Sequence, residues 1–264
     1  MKVREVLDHF ISRCEGVDPE KTVDRVIVGD PEADFDRCLV TWMPSMDALR
    51  QVVERGYQFL ICHEPTFWNH VEDHATEEAS DSQEKLAFIE EHGIVIARNH
   101  DCWDLWPDVG IPFAWADFLG LGTQPEEIGA AGYQHRYDRE PVTLGEFARE
   151  VADRCARIGE PFVQVSGDPT QDVSRIGIGT GCACDIPCYR KMNRDCSVVC
   201  DDGSVYWSNI QRAKDSDHPI IRVNHGTSEE PGMVTMVNYI NAHIDGLEAE
   251  HLPHGSCFSL VGTV

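Results

Sequence analysis

Val53-Glu54-Arg55-Gly56-Tyr57-Gln58-Phe59-Leu60-Ile61-Cys62-His63-Glu64-Pro65-Thr66-Phe67-Trp68 reads as a helix end, a glycine stop, a short buried strand and an abrupt polar pair. Gly56 can take the left-handed conformation that closes a helix, and residues 59–62 form an apolar run of strand length. Pro65 biases Glu64 toward an extended conformation. Two metal-ligand side chains, His63 and Glu64, therefore sit at the C-terminal tip of a buried strand. Open α/β sheets usually keep their active sites there.

The flanking sequence supplies the rest of such a sheet. Val3, Val6, Leu7, Phe10 and Ile11 recur at helical spacing near the N-terminus. Residues 24–29 and 38–42 read as strands separated by an acidic loop. Pro44 then falls at the first turn of a helix whose inner face is Met46, Leu49, Val52 and Val53. Residues 69–82 are polar and acidic and read as an exposed loop that holds His70 and His74. An amphipathic helix over 84–92 stops at Gly93, and residues 94–97 form another short buried strand. That strand also ends in a polar burst, Arg98-Asn99-His100-Asp101-Cys102-Trp103-Asp104. A further helix is expected over 109–121.

Beyond residue 122 the character changes. A Gly-containing connector leads into a helix at 142–158, capped by Thr143 with Glu146 three positions on. Strands are expected at 162–165 and 176–181, a strand or strand–loop at 198–209, and a last clear buried strand at 219–225. This order of elements predicts an α/β protein with two lobes. The first spans residues 1–122 and is completed by 219–264, and the second spans 123–218.

Composition bounds the function. Of 264 residues, 42% are hydrophobic and 26% charged, as expected for a soluble globular chain. No window approaches the ~20 consecutive apolar residues of a membrane span. The formal net charge of −24 argues against nucleic acid and anionic lipid as partners, since both are bound by Lys/Arg clusters. The N-terminus opens directly into a helical pattern without a signal-peptide core. With eleven cysteines, that predicts a reducing, cytoplasmic setting.

Three predicted strand ends carry ligand-type residues: His63 with Glu64, His100 with Asp104, and His225 with Glu229. The last two share a His-x-x-x-carboxylate spacing, which lets one helical turn aim both side chains at one point. Imidazole nitrogen together with carboxylate oxygen suits Zn, Mn, Fe, Co or Ni. Three such pairs supply six ligands, enough for a two-metal site with positions left for water. With twelve His and 46 acidic residues some pairs arise by chance, but three at strand C-termini point to a shared site.

These segments, in this order, resemble the Nif-three-like family (NGG-one interacting factor three). Ile61-Cys62-His63-Glu64-Pro65 is similar to its strand ending in His-His-Pro. His100-Asp101-Cys102-Trp103-Asp104 is similar to its His-Thr-x-x-Asp, and Asn224-His225-Gly226-Thr227-Ser228-Glu229 to its Gly-His-x-x-x-Glu. The resemblance implies two interleaved α/β lobes of the Nif-three-like fold with the metal site at strand C-terminal ends between them. It implies two divalent metal ions on His63, Glu64, Asp104, His225 and Glu229, with Asp104 or Glu229 bridging and His100 beside them; His100 is then the candidate catalytic residue, for proton transfer or for orienting a ligand. It also implies a toroidal homohexamer. Some members go by the name GTP cyclohydrolase type two homologues. Glu64, Asp101 and Asn224 depart from the family residues, and a carboxylate at 64 is a harder ligand that favours Mn or Fe over Zn. The expected activity is metal-dependent hydrolysis of a small-molecule substrate; the alternative is a non-catalytic metal-binding scaffold, metal chaperone or regulatory protein.

A second candidate site, the cysteine-rich segment Cys182-Ala183-Cys184-Asp185-Ile186-Pro187-Cys188 with Cys196 and Cys200, fits either a buried structural role or a Zn or iron–sulfur site. The preceding Gly177-Ile178-Gly179-Thr180-Gly181 lacks the Lys-Ser/Thr of a P-loop. Trp68, Trp103, Trp106 and Trp115 suit either a pocket wall or core packing. No serine has the Gly-x-Ser-x-Gly context of a hydrolase elbow.

Overall fold

A computed structural model describes residues 1–261. In chain order the first elements are α1 (Val3–Ile11), β1 (Arg25–Val28), β2 (Arg37–Thr41), α2 (Met46–Glu54), β3 (Phe59–Cys62), α3 (Ser80–Glu91), β4 (Val95–Arg98), α4 (Asp101–Asp104) and α5 (Ile111–Phe118). There follow β5 (Glu127–Gly129), β6 (Gln134–Thr143), α6 (Leu144–Cys155), β7 (Gln164–Ser166), β8 (Asp172–Gly179), α7 (Ile186–Lys191) and β9 (Cys196–Cys200). A π-helical turn, Tyr206–Ile210, leads into α8 (Gln211–Asp215), and β10 (Ile220–Val223), α9 (His225–His243) and β11 (Glu248–His251) complete the chain. The chain divides into two compact units, residues 1–111 with 230–254, and residues 112–229 with the C-terminal stretch.

In the first unit the strands form a sheet of order β1-β4-β3-β2-β11, all parallel except β1, which runs antiparallel to β4. The strand run β2-α2-β3-α3-β4 explains the parallel pairing, because each return passes through a helix. Strand alternation divides the core in two. Cys38, Val40, Phe59, Ile61, Val95 and Ala97 face one way and pack with Val6 and Phe10 of α1 and Met236 and Ile240 of α9. Leu39, Leu60, Cys62 and Ile96 face the other way, onto Ala48, Leu49 and Val52 of α2 and Ile89 of α3. A sheet buried on both faces reads as continuous apolar runs, as β3 and β4 do.

In the second unit the order is β5-β6-β8-β9-β10-β7, with a parallel centre (β8, β9, β10) and antiparallel flanks. One face packs Val173, Ile176, Ile178, Val198 and Ile221 onto Leu144, Phe147 and Val151 of α6. The other sets Val199 and Ile220 against Ile186 and Tyr189 of α7 and Ala213 of α8. Both units are thus sheets with helices on both faces, the α/β class expected.

Several elements differ from expectation in a physically legible way. Ser45 accepts the Ala48 N–H at 3.1 Å and so caps α2, which puts Pro44 just before the helix rather than in its first turn. Strand β6 runs 10 residues through a polar sequence, and its ladder with β8 is interrupted between Asp138 and Val142, around Pro141, which cannot donate to it. Strand β11 is a polar edge strand whose buried position is Ala249. Among the described residues no helix is long and apolar enough to cross a membrane.

Candidate metal centre

Strand β3 delivers His63 and Glu64 and then stops. Both backbone N–H groups donate to the Trp42 carbonyl, at 3.1 and 2.8 Å, so the pair is fixed against the neighbouring strand end. His63 is fully buried and Glu64 nearly so. The Nδ1 of His63 lies 3.3 Å from the Asn99 carbonyl and Nε2 lies 3.5 Å from Asp104 Oδ1. With Nδ1–H donating to the carbonyl, Nε2 carries the lone pair on the Asp104 side. A metal-ligating histidine commonly has this backbone support.

Strand β4, beside β3, delivers His100. Its backbone is gripped by Asp24, whose carboxylate accepts the N–H groups of His100, Asp101 and Cys102 at 2.6, 2.9 and 2.9 Å. Asp101 answers by accepting from the Thr22 hydroxyl and the Val23 N–H, at 2.9 and 3.1 Å. The turn therefore becomes α4, which brings Asp104 Oδ2 within 3.4 Å of His100 Nδ1. The His63 and His100 rings stack with centroids 4.3 Å apart, and His100 Nε2 is 3.6 Å from Glu64 Oε1. Burial opposes charge on His100, but Asp104, Asp101 and Glu64 outweigh it and hold its pKa well above the usual imidazole value. Asp101 moves the opposite way. Burial raises it, and the hydrogen bonds from His100, Val23 and Thr22 more than reverse that, leaving it well below the usual carboxylate range.

The first unit thus holds two overlapping groups whose ligand-type atoms lie within 4.8 Å of one another: His63, His100 and Asp104, and Glu64, His70 and His100. Imidazole and carboxylate donors at that spacing fit a divalent transition metal. His70 sits in an exposed loop, as its polar neighbours predict, but its ring meets His100 edge to face at 4.8 Å. His70, Arg98 and Asp24 lie outside the three strand-end pairs that the sequence singles out. Arg98 alone left a signal, a charged residue closing an apolar strand.

His225 and Glu229 form a pair in the second unit. His225 opens α9 directly after β10, its N–H donating to Asp201 at 2.6 Å, and its Nε2 is 3.0 Å from the buried Glu229 Oε1. The start of the helix is fixed by Glu160, which accepts from the Asn224 N–H at 3.1 Å and from the Thr227 hydroxyl. Gly181 adopts a φ of +52°, and a Cβ there would meet Glu229 Oε1 at 3.2 Å and His225 Nε2 at 3.4 Å. That close approach accounts for the glycine at the end of the Gly-rich run.

Within the cysteine segment Cys184, Cys196 and Cys200 are buried, Cys188 is half-buried and Cys182 is exposed. All eleven cysteines are free thiols, and none joins a group with metal-ligand spacing among the described residues. Burial pushes the Cys184 thiol up to about 12 and raises Cys196 and Cys200 as well, which favours the protonated, packed form of these sulfurs. Trp103 and Trp115 are likewise core residues, with no exposed surface.

The sequence pattern of a family described as Duf34/NIF3 (NGG1p interacting factor 3) matches residues 1–254. Among solved structures, the chain is similar to a Bacillus cereus protein related to NIF3, with a TM-score of 0.80, 13% identity and 99% of each chain covered. It is similar to a hypothetical protein of Staphylococcus aureus, with a TM-score of 0.76, 18% identity and 99% of each chain covered. It is also similar to reduced HcgD from Methanocaldococcus jannaschii, with a TM-score of 0.70, 17% identity and coverage of 96% of this chain and 98% of that one. No curated protein matches.

Proposed function

The chain belongs to the Duf34/NIF3 family, and from that premise we propose that it is a dinuclear-metal protein that hydrolyses a small-molecule substrate. The observation that carries this reading is the buried grouping of His63, His100 and Asp104 at the ends of two adjacent parallel strands. His63, Glu64 and Asp104 would hold metal, and His225 and Glu229 would complete the set. Bound divalent ions supply Lewis acidity and lower the pKa of water. The chain's own groups do the rest. The Asn99 carbonyl orients His63, Asp24 fixes the His100 backbone, and His100, beside Glu64 and Asp104, is placed to transfer a proton. A homohexameric assembly and a cytoplasmic setting belong to the same reading, supported by the family resemblance and by the eleven free thiols.

The test is elemental analysis of metal per chain in wild type and in the His63→Ala, Asp104→Ala double variant. About two metals per chain in wild type, lost in the variant, is the expected result. Retention of metal by the variant would remove this site from consideration. Hydrolysis of phosphoester and cyclic amide substrates, abolished by chelator, then separates the enzyme from a metal-binding scaffold.

A further inference from the structure

Arg98 is a fully buried guanidinium at the C-terminal end of β4. Its Nε–H donates to the His63 carbonyl at 3.0 Å and its Nη1 to the His70 carbonyl at 2.6 Å. Its Nη2 lies 3.1 Å from His70 Nδ1 and 3.8 Å from Glu64 Oε2. A guanidinium only donates, so Nδ1 of His70 is the accepting nitrogen and the ring is held as the Nε2–H tautomer. Three pieces of the candidate centre, the His63 backbone, the His70 loop and the Glu64 carboxylate, therefore converge on one buried cation. Glu64 supplies the anion for it, and the two carboxylate oxygens have separate partners. Oε2 faces Arg98, while Oε1 faces His100 Nε2 at 3.6 Å.

We propose that Arg98 is a positioning residue that acts through Glu64: it anchors one carboxylate oxygen, Oε2, and so sets the direction in which Oε1 is presented to a metal cation. The inference rests on the metal-binding reading above. A buried ion pair imposes a specific coupling, because removing either partner strands the other charge away from water, whereas removing both does not. Arg98 also opposes the accumulation of negative charge from Glu64, Asp101 and Asp104, so the pair makes a carboxylate ligand compatible with a carboxylate-rich pocket. The Nη contacts to His70 fasten the adjacent loop to the same cation, so that the loop and the ligand are set together.

The test is a double-mutant cycle of R98M and E64Q, read by Zn²⁺ affinity in competition with a chromogenic chelator and by thermal melting of the metal-free proteins. R98M is expected to weaken Zn²⁺ binding at least tenfold in the wild-type background and less than threefold in the E64Q background. In the metal-free proteins R98M is expected to lower the melting temperature less in the E64Q background than in the wild-type background, because only the latter strands the Glu64 charge. Equal factors in both backgrounds would show that Arg98 supports only the backbone and would overturn the inference while metal binding stands. A wild-type protein that takes up no Zn²⁺ or Mn²⁺ would overturn the metal reading and this inference with it. R98K, which keeps the charge but not the forked contacts, carries the same comparison if R98M does not fold; its expected loss of affinity is again confined to proteins that retain Glu64.

Discussion

Asp24 does more for the candidate centre than any ligand-type residue outside it, and it does so without pointing a donor at a metal. Its carboxylate satisfies three successive backbone N–H groups, so it decides where β4 ends and where His100 and Asp104 face. Asp24→Ala leaves those donors unmet in a site that is 4% exposed, and is expected to cost about 3 kcal/mol in urea denaturation. Asp24→Asn keeps one acceptor oxygen and is expected to cost about 1 kcal/mol. Zn²⁺ affinity should fall in the same order; unchanged affinity in Asp24→Ala would mean the turn holds its shape unaided. At this scale the sequence shows ligands better than supports. His63, Glu64, His100 and Asp104 stand out because each is a polar residue following an apolar run. Asp24 and His70 carry no such contrast, since their roles depend on chain segments about 76 and 30 positions away.

Elements were legible in proportion to how strongly burial imposes a period on them. Strands β3 and β4 are buried on both faces and show as apolar runs, β4 up to its closing Arg98, whereas β6 and β11 expose much of their length and carry little hydrophobic signal. Helix α4 is too short for any periodicity and exists because Asp24 and Asp101 exchange hydrogen bonds with neighbouring backbone. The start of α6 was legible from local chemistry alone. Thr143 accepts the Glu146 N–H at 3.2 Å, and the Glu146 carboxylate accepts the Thr143 N–H at 3.0 Å, closing a reciprocal capping box. Thr143→Ala removes one half of it and is expected to lower stability by about 1 kcal/mol, seen as a shift of the urea midpoint with an unchanged slope. Because the cap lies on an exposed helix end remote in sequence from every proposed ligand, metal content should not change. A loss of metal would tie α6 to the centre in a way its packing against β8 does not suggest.

For the molecule as a whole, the two histidines whose pKa falls furthest, both in the second unit, lead the dependence of stability on pH. His135 is 1% exposed, and its ring lies between the Gly132 carbonyl at 3.0 Å and the Tyr137 hydroxyl at 3.2 Å. His218 is 5% exposed, and its Nε2 is 2.7 Å from the Ser197 hydroxyl. Burial lowers both to about 4 from the ordinary 6.5, reinforced by Arg190 and Arg194 at His218 and by Arg194 at His135. The unfolded chain therefore takes up these two protons at a higher pH than the folded one. Stability from this source is complete above pH 6.5 and falls as pH drops toward 4. Each histidine contributes about 3 kcal/mol over that interval. His100 has the opposite sign: in the metal-free protein its contribution is present at low pH and is lost only as pH rises through its elevated pKa. Urea midpoints measured between pH 7.5 and pH 4.5 on the metal-free protein should decline steadily, and His218→Gln should flatten that decline while lowering stability at neutral pH. A midpoint that holds constant down to pH 4.5 would show that the second unit admits protonated imidazoles without opening.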